Sequence, residues 1–139
     1  MDTPFANVRI GILVVDDHSM VRKLLCRLLQ AETDFTVIGE AVNGAQALLK
    51  AQELQPDVIL LDISLPDIDG LTMAEKLKDV VPAAEILVVS DYNVGEIEKA
   101  FGVGVRGYLL KSDSATELVT AVRTVYKKER YLSVKLRRK

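Results

Sequence analysis

Val58-Ile59-Leu60-Leu61-Asp62, followed by Ile63-Ser64-Leu65-Pro66-Asp67-Ile68-Asp69-Gly70, decides how this chain folds. Four apolar residues closed off by turn-forming residues read as a strand buried on both faces. The run ends on a carboxylate, and Pro66, Asp67, Asp69 and Gly70 then turn the chain away. A charge at the end of a buried strand is costly unless something compensates it. Asp62 therefore needs a chemical reason to be there.

The same grammar repeats on either side. Upstream, Ile10-Gly11-Ile12-Leu13-Val14-Val15 is a buried strand that ends in Asp16-Asp17. Ser19 suits the N-cap of the next helix, where Val21, Leu24, Leu25, Leu28 and Leu29 recur at helical spacing. Phe35-Thr36-Val37-Ile38 gives a second strand. Asn43-Gly44 then caps a helix carrying Ala47, Leu48, Ala51 and Leu54, which stops before Pro56. Downstream of Gly70, Leu71, Ala74, Leu77 and Val81 predict a third helix closed by Pro82. Ile86-Leu87-Val88-Val89 is a fourth strand, leading into Ser90-Asp91. A weakly anchored helix over residues 94–101 rests on Ile97, Ala100 and Phe101. Gly107-Tyr108-Leu109-Leu110 is a fifth strand ending at Lys111. Ser114-Ala115-Thr116-Glu117 reads as a capping box for a helix that sets Ala115, Leu118, Val119, Val122, Val125 and Tyr126 on one side. From Glu129 the periodicity fades.

Apolar, non-alternating strands linked through helices imply a parallel sheet covered on both faces. Right-handed crossovers favour an α/β, flavodoxin-like, doubly wound (βα)5 fold with five strands in the order 2-1-3-4-5. Ligands in such folds sit beyond the carboxyl ends of the strands, where strands one and three diverge. With 139 residues the chain fits one domain. We divide it into a domain over 1–128 and a basic tail, or the start of a linker, over 129–139.

Composition narrows the function. At 49% hydrophobic and 27% charged, the chain reads as a globular protein. No apolar run approaches a membrane span, and residues 1–8 lack the pattern of a secretion signal. One cysteine, Cys26, excludes an internal disulfide framework and a multi-cysteine metal site, and a cytoplasmic location is expected. The net charge of −2 conceals an asymmetry. Residues 127–139 hold seven basic groups against Glu129, a net +6, and the rest of the chain carries −8. The acidic body suits a cation better than a nucleic acid.

Four strands thus deliver polar groups to one edge: Asp16 and Asp17, Asp62, Ser90, and Lys111. Three neighbouring acids repel unless a cation neutralises them. Oxygen ligands suit magnesium, and no other cofactor is expected. A carboxylate can act as a nucleophile and become an aspartyl phosphate. Phosphoryl transfer then needs positioning and charge neutralisation. Asp62 would attack, Asp16 and Asp17 would hold the metal, Lys111 would pair with a phosphoryl oxygen, and Ser90 would donate its hydroxyl to another. The bland reading has Asp16 and Asp17 merely capping a helix, His18 lying in a loop, and Asp67, Asp69 and Gly70 forming a turn.

The chain resembles a response-regulator receiver domain of two-component signalling over about residues 8–130. The likeness rests on Val15-Asp16-Asp17-His18, Leu61-Asp62-Ile63-Ser64-Leu65-Pro66-Asp67-Ile68-Asp69-Gly70, Val89-Ser90 and Gly107-Tyr108-Leu109-Leu110-Lys111-Ser112. The resemblance implies phosphotransfer from a sensor histidine kinase to Asp62, with magnesium held by Asp16, Asp17, Asp62 and the backbone carbonyl of Ser64. It also implies a switch. Ser90 follows the phosphoryl group, Tyr108 turns from outward to inward, and the face of helix four, strand five and helix five changes to control dimerisation or an output domain. Such a domain is a phosphoacceptor that supports its own phosphotransfer and dephosphorylation rather than an enzyme acting on other substrates.

The fuller wording, including Arg106 and Glu129-Arg130-Tyr131-Leu132-Ser133, is similar to the subclass with a C-terminal helix-turn-helix DNA-binding domain. That domain would begin after about residue 140, and DNA would be met only through it. Two features depart from the pattern. Asp91 stands where a small residue is usual and would repel the phosphoryl group or narrow its access, and valines and an extra glycine occupy residues 100–106.

Two rivals follow. A degenerate receiver would act by phosphorylation-independent protein contacts, supported by Asp91 alone. A magnesium-dependent aspartyl-phosphate phosphatase would want an acid two residues after its nucleophile, where Ser64 stands.

Overall fold

The computed structural model describes residues 9–91 and 94–137. Strands β1 (Ile10–Val15), β2 (Phe35–Ala41), β3 (Val58–Asp62), β4 (Glu85–Ser90) and β5 (Gly107–Leu110) alternate with helices α1 (Ser19–Gln30), α2 (Gly44–Leu54), α3 (Gly70–Val80), α4 (Val94–Gly102) and α5 (Ser114–Tyr126). All strand pairs are parallel and run in the order β2-β1-β3-β4-β5, the expected doubly wound order. The sheet has one strand more than the sequence pattern predicts, because β6 (Tyr131–Leu132) adds to the free edge of β5.

Every residue of β3, β4 and β5 is buried, as expected for strands packed on both faces. Successive side chains point to opposite sides, so each strand feeds two cores. Leu13, Val15, Ile59, Leu61, Ile86, Val88, Tyr108 and Leu110 pack with Ala47, Ala51, Met73, Ala74 and Leu77 on the face covered by α2, α3 and α4. Ile12, Val14, Val58, Leu60, Leu87, Val89 and Leu109 pack with Leu25, Cys26, Leu29, Leu118, Ala121, Val122 and Val125 on the face covered by α1 and α5.

Several local expectations shift by a residue or two. Ser19 lies inside α1, and His18 occupies the N-cap without a side-chain hydrogen bond. Leu24 is half exposed while Cys26 is buried, so the inner stripe of α1 is Leu25, Cys26 and Leu29. Asn43 caps α2 as predicted, accepting from the Gln46 amide. Asp69 caps α3 through the Thr72 amide and hydroxyl. Asp67 accepts from the Gly44 and Ala45 amides, which hold its carboxyl below the usual range. The turn after Asp62 thereby reaches the start of α2.

The capping box of α5 does not form. Ser114 is already helical and Asp113 occupies the cap position. Glu117 instead accepts the Tyr131 hydroxyl and the Val134 amide. What reads as an unstructured tail is tied down as far as Arg137, whose guanidinium bonds the Leu132 carbonyl and covers the Tyr131 ring. Arg138 and Lys139 lie outside the described residues. Helix α4 closes where Gly104 takes a positive φ of 100°, letting the Val105 amide turn back to the Ala100 carbonyl.

Candidate functional site

The strand order sets β1 and β3 side by side, with Val15 beside Leu61. Both strands therefore release their acids at one point, and β4 and β5 end next to them with Ser90 opposite Leu110. Asp16 and Asp62 are buried at 0% and 1% exposure, while Asp17 is partly open to solvent. One ligand atom from each of Asp16, Asp17, His18 and Asp62 lies within 4.8 Å of the others.

Asp62 is held from two sides. Its Oδ1 accepts the Ser64 amide at 3.0 Å and lies 3.2 Å from Lys111 Nζ. Its Oδ2 has no hydrogen-bond partner among the described residues, and the same is true of Asp16 Oδ2 and Asp17 Oδ1. Buried acceptors are normally satisfied, so three bare carboxylate oxygens on the acids of one cluster are a chemical signature. Burial pushes the Asp16 carboxyl above its usual range. The charge of Asp62 adds to this, while the His18 amide, donating to Asp16 Oδ1 at 2.8 Å, and Lys111 work against it. The cluster is under electrostatic stress that a cation would relieve.

His18 stands closer to the acids than the sequence suggests. Its Nδ1 lies 3.1 Å from Asp17, 3.4 Å from Asp16 and 3.9 Å from Asp62, without hydrogen-bond alignment to Asp17 Oδ1. The ring remains mostly exposed.

Ser90 and Tyr108 are brought together by a residue that sequence reasoning passed over. Ser90 Oγ lies 2.9 Å from the Asp91 carbonyl and 2.9 Å from Glu96 Oε1. The Tyr108 ring is fully buried, and its hydroxyl donates to the same Glu96 oxygen at 2.7 Å. Burial and the neighbouring Glu96 carboxylate push the phenol up to about 12, against the Ser90 hydroxyl, which works the other way. In sequence, Glu96 is merely an acid in the first turn of a helix, where acids are common.

The response regulator receiver domain profile matches residues 12–123. The chain belongs to the response regulator receiver domain family. Among curated relatives, this receiver domain is 37% identical over 121 residues to the response regulator protein VraR of Staphylococcus saprophyticus, covering 86% of this chain and 58% of that protein. Against VraR of Staphylococcus aureus it is 37% identical over 115 residues, covering 82% and 55%. The receiver thus spans somewhat over half the length of these relatives. Among solved structures, a LuxR-family two-component response regulator from Aurantimonas sp. superposes with a TM-score of 0.88 at 29% identity, covering 92% of both chains. The receiver domain of NarL from Mycobacterium tuberculosis gives 0.81 at 32% identity, covering 86% of this chain and 98% of that one.

Proposed function

We propose that this receiver domain is a phosphorylation-activated switch, in which Asp62 takes a phosphoryl group from a phosphohistidine of a sensor histidine kinase. The observation that carries this reading is the state of Asp62. It is buried at the end of the central strand, one oxygen rests on Lys111 and Ser64, and the other has no hydrogen-bond partner among the described residues. That pattern belongs to a nucleophile kept in place and not consumed by structural bonds.

In the transfer, an Asp62 oxygen attacks phosphorus and the P–N bond of the donor breaks. The bonding pair stays on the imidazole nitrogen, which takes up a proton. Lys111, already 3.2 Å from Asp62, neutralises one phosphoryl oxygen, and Ser90 donates its hydroxyl to another. Asp16, Asp17, Asp62 and the Ser64 carbonyl would hold magnesium, for which the bare carboxylate oxygens of the three acids are suitable hard donors. When bound, the ion supplies charge neutralisation for the group in flight. Attack by water at phosphorus later breaks the O–P bond and restores the carboxylate, so the domain supports its own dephosphorylation.

The output would pass through the face of α4, β5 and α5, where Ser90 and Tyr108 meet Glu96. It would drive homodimerisation or control a DNA-binding output domain, giving transcription regulation in the cytoplasm. No helix among the described residues is long and apolar enough to cross a membrane.

The test is incubation with magnesium and acetyl phosphate, read by intact mass, and titration with magnesium and beryllofluoride, with Asp62→Ala as the control. We expect a single phosphoryl adduct and saturable fluoride binding, both lost in the variant. Absence of both in the wild-type protein would refute the reading.

A further inference from the structure

Among the described residues Glu96 is the one carboxylate that touches both Ser90 and Tyr108, and it does so through a single oxygen, Oε1, at 2.9 and 2.7 Å. A serine hydroxyl carries one proton and can serve one acceptor at a time. A charged carboxylate is the stronger acceptor than the Asp91 carbonyl at the same distance. We propose that Glu96 is a positioning residue that competes with the phosphoryl group for the Ser90 hydroxyl and so sets the threshold of the switch. The inference rests on the phosphoacceptor reading of Asp62 given above.

Three further features fit this role. Ser90 is the last residue of β4 and only 3% exposed, so its hydroxyl must find its acceptor among protein groups and not in solvent. Glu96 sits in the first turn of α4, and Tyr108 on the adjacent β5, so one carboxylate joins three elements. Glu96 is only half-buried and lines a cleft of about 330 Å3 with Asp69, Leu71, Gly95 and Lys99. Once the Ser90 hydroxyl turns away, water can reach Glu96, so the carboxylate is not left stranded. Glu96 also leaves the Tyr108 hydroxyl with a partner while Ser90 exchanges its own.

A double-mutant cycle tests the inference on the whole chain. Beryllofluoride binding in magnesium, followed by 19F NMR, is measured for the wild type, Glu96→Ala, Glu96→Gln, Ser90→Ala and both double variants. Glu96→Ala should tighten fluoride binding about tenfold, the scale of one hydrogen bond to a charged acceptor. Glu96→Gln, which keeps shape and an acceptor but loses the charge, should fall between Glu96→Ala and the wild type. On the Ser90→Ala background neither substitution should bring a gain, because the contested hydroxyl is gone. Should Glu96→Ala unfold, the glutamine variant and its Ser90→Ala partner carry the test. A gain that persists without the Ser90 hydroxyl, or Glu96 variants that bind as the wild type does, overturns the role of Glu96 alone. A wild-type protein that binds no fluoride overturns the phosphoacceptor reading, and the role of Glu96 with it.

Discussion

Replacing Asp16 by asparagine should make this domain more stable, although it removes a group from the candidate site. Asp16 is fully buried and its Oδ2 has no hydrogen-bond partner among the described residues. Two unit charges at 4.8 Å, the outer limit of the cluster, repel by about 3.5 kcal/mol at an effective dielectric near 20. Asparagine keeps the volume and keeps an oxygen to accept the His18 amide, now at 2.8 Å. Some of the repulsion is already offset by Lys111, and the His18 amide prefers a charged acceptor. A net gain of about 2 kcal/mol is therefore expected in chelator, which for a domain of this size raises Tm by roughly 6 °C.

Magnesium should invert the comparison. A ligand that binds only the folded state adds RT ln(1 + [L]/Kd), about 2.7 kcal/mol at a hundred times Kd, which exceeds the variant's advantage of about 2 kcal/mol. The wild type should gain that increment and Asp16→Asn should gain much less, because one proposed ligand and one charge are gone. The assay is thermal and urea unfolding of both proteins in EDTA and across a magnesium titration. An Asp16→Asn protein that is less stable than the wild type in EDTA would refute the electrostatic argument. So would equal magnesium increments in the two proteins.

Three other outcomes are expected. Glu85 is buried, and although burial alone would raise its carboxyl, the hydrogen bonds from Arg106 at 2.9 Å and Lys128 at 3.0 Å bring it below the usual range. Its folded-state pKa is thus depressed, so its contribution is present above the unfolded value near 4.5 and is lost as pH falls through the folded value; urea midpoints against pH should show a shallower acid limb in Glu85→Gln. Ser133→Ala should cost about 1–3 kcal/mol in urea unfolding, because the Leu110 amide would lose its 2.8 Å acceptor in a buried position. Gly70→Ala should cost about 3 kcal/mol, since the added Cβ would lie 2.4 Å from the Ile63 carbonyl oxygen and 2.6 Å from its Cα. It should also weaken magnesium binding by displacing the turn that follows Asp62.

The sheet and the strand-end residues were legible because buried parallel strands announce themselves as apolar runs, and the doubly wound order then places Asp16, Asp17, Asp62, Ser90 and Lys111 at one edge. What escaped was set by contacts with no period. Leu24 and Cys26 are both apolar and two residues apart, and only docking on the sheet decides that Cys26 turns inward. Ser114 and Glu117 satisfy the capping-box spacing, yet Tyr131, 14 residues on, takes the glutamate that the box required. A two-residue strand such as Tyr131–Leu132 offers no alternation to detect. Glu96 looks like any helix-opening acid until β4 and β5 bring Ser90 and Tyr108 to it. His18 is a loop residue by sequence and a neighbour of three carboxylates in space.

Strand β5 links these late findings. Its Tyr108 side chain reaches Glu96 on α4, while the Tyr108 carbonyl accepts the Ser133 amide at 3.0 Å and the Leu110 amide donates to Ser133 Oγ at 2.8 Å. Lys111, the partner of Asp62, is the next residue along the chain. Lys135 meets Asp113 at 3.2 Å just beyond, so the segment after α5 grips the Lys111 turn from its other side. A close-packed interior does not absorb a shift in one strand without moving its neighbours. Any displacement of β5 toward a group on Asp62 must therefore be shared by α4 on one side and by residues 131–137 on the other. A boundary drawn at residue 128 would cut that second connection and open the edge of β5. The stretch that reads as a tail is packed as an extension of the β5 edge and is tied to the turn that carries Lys111.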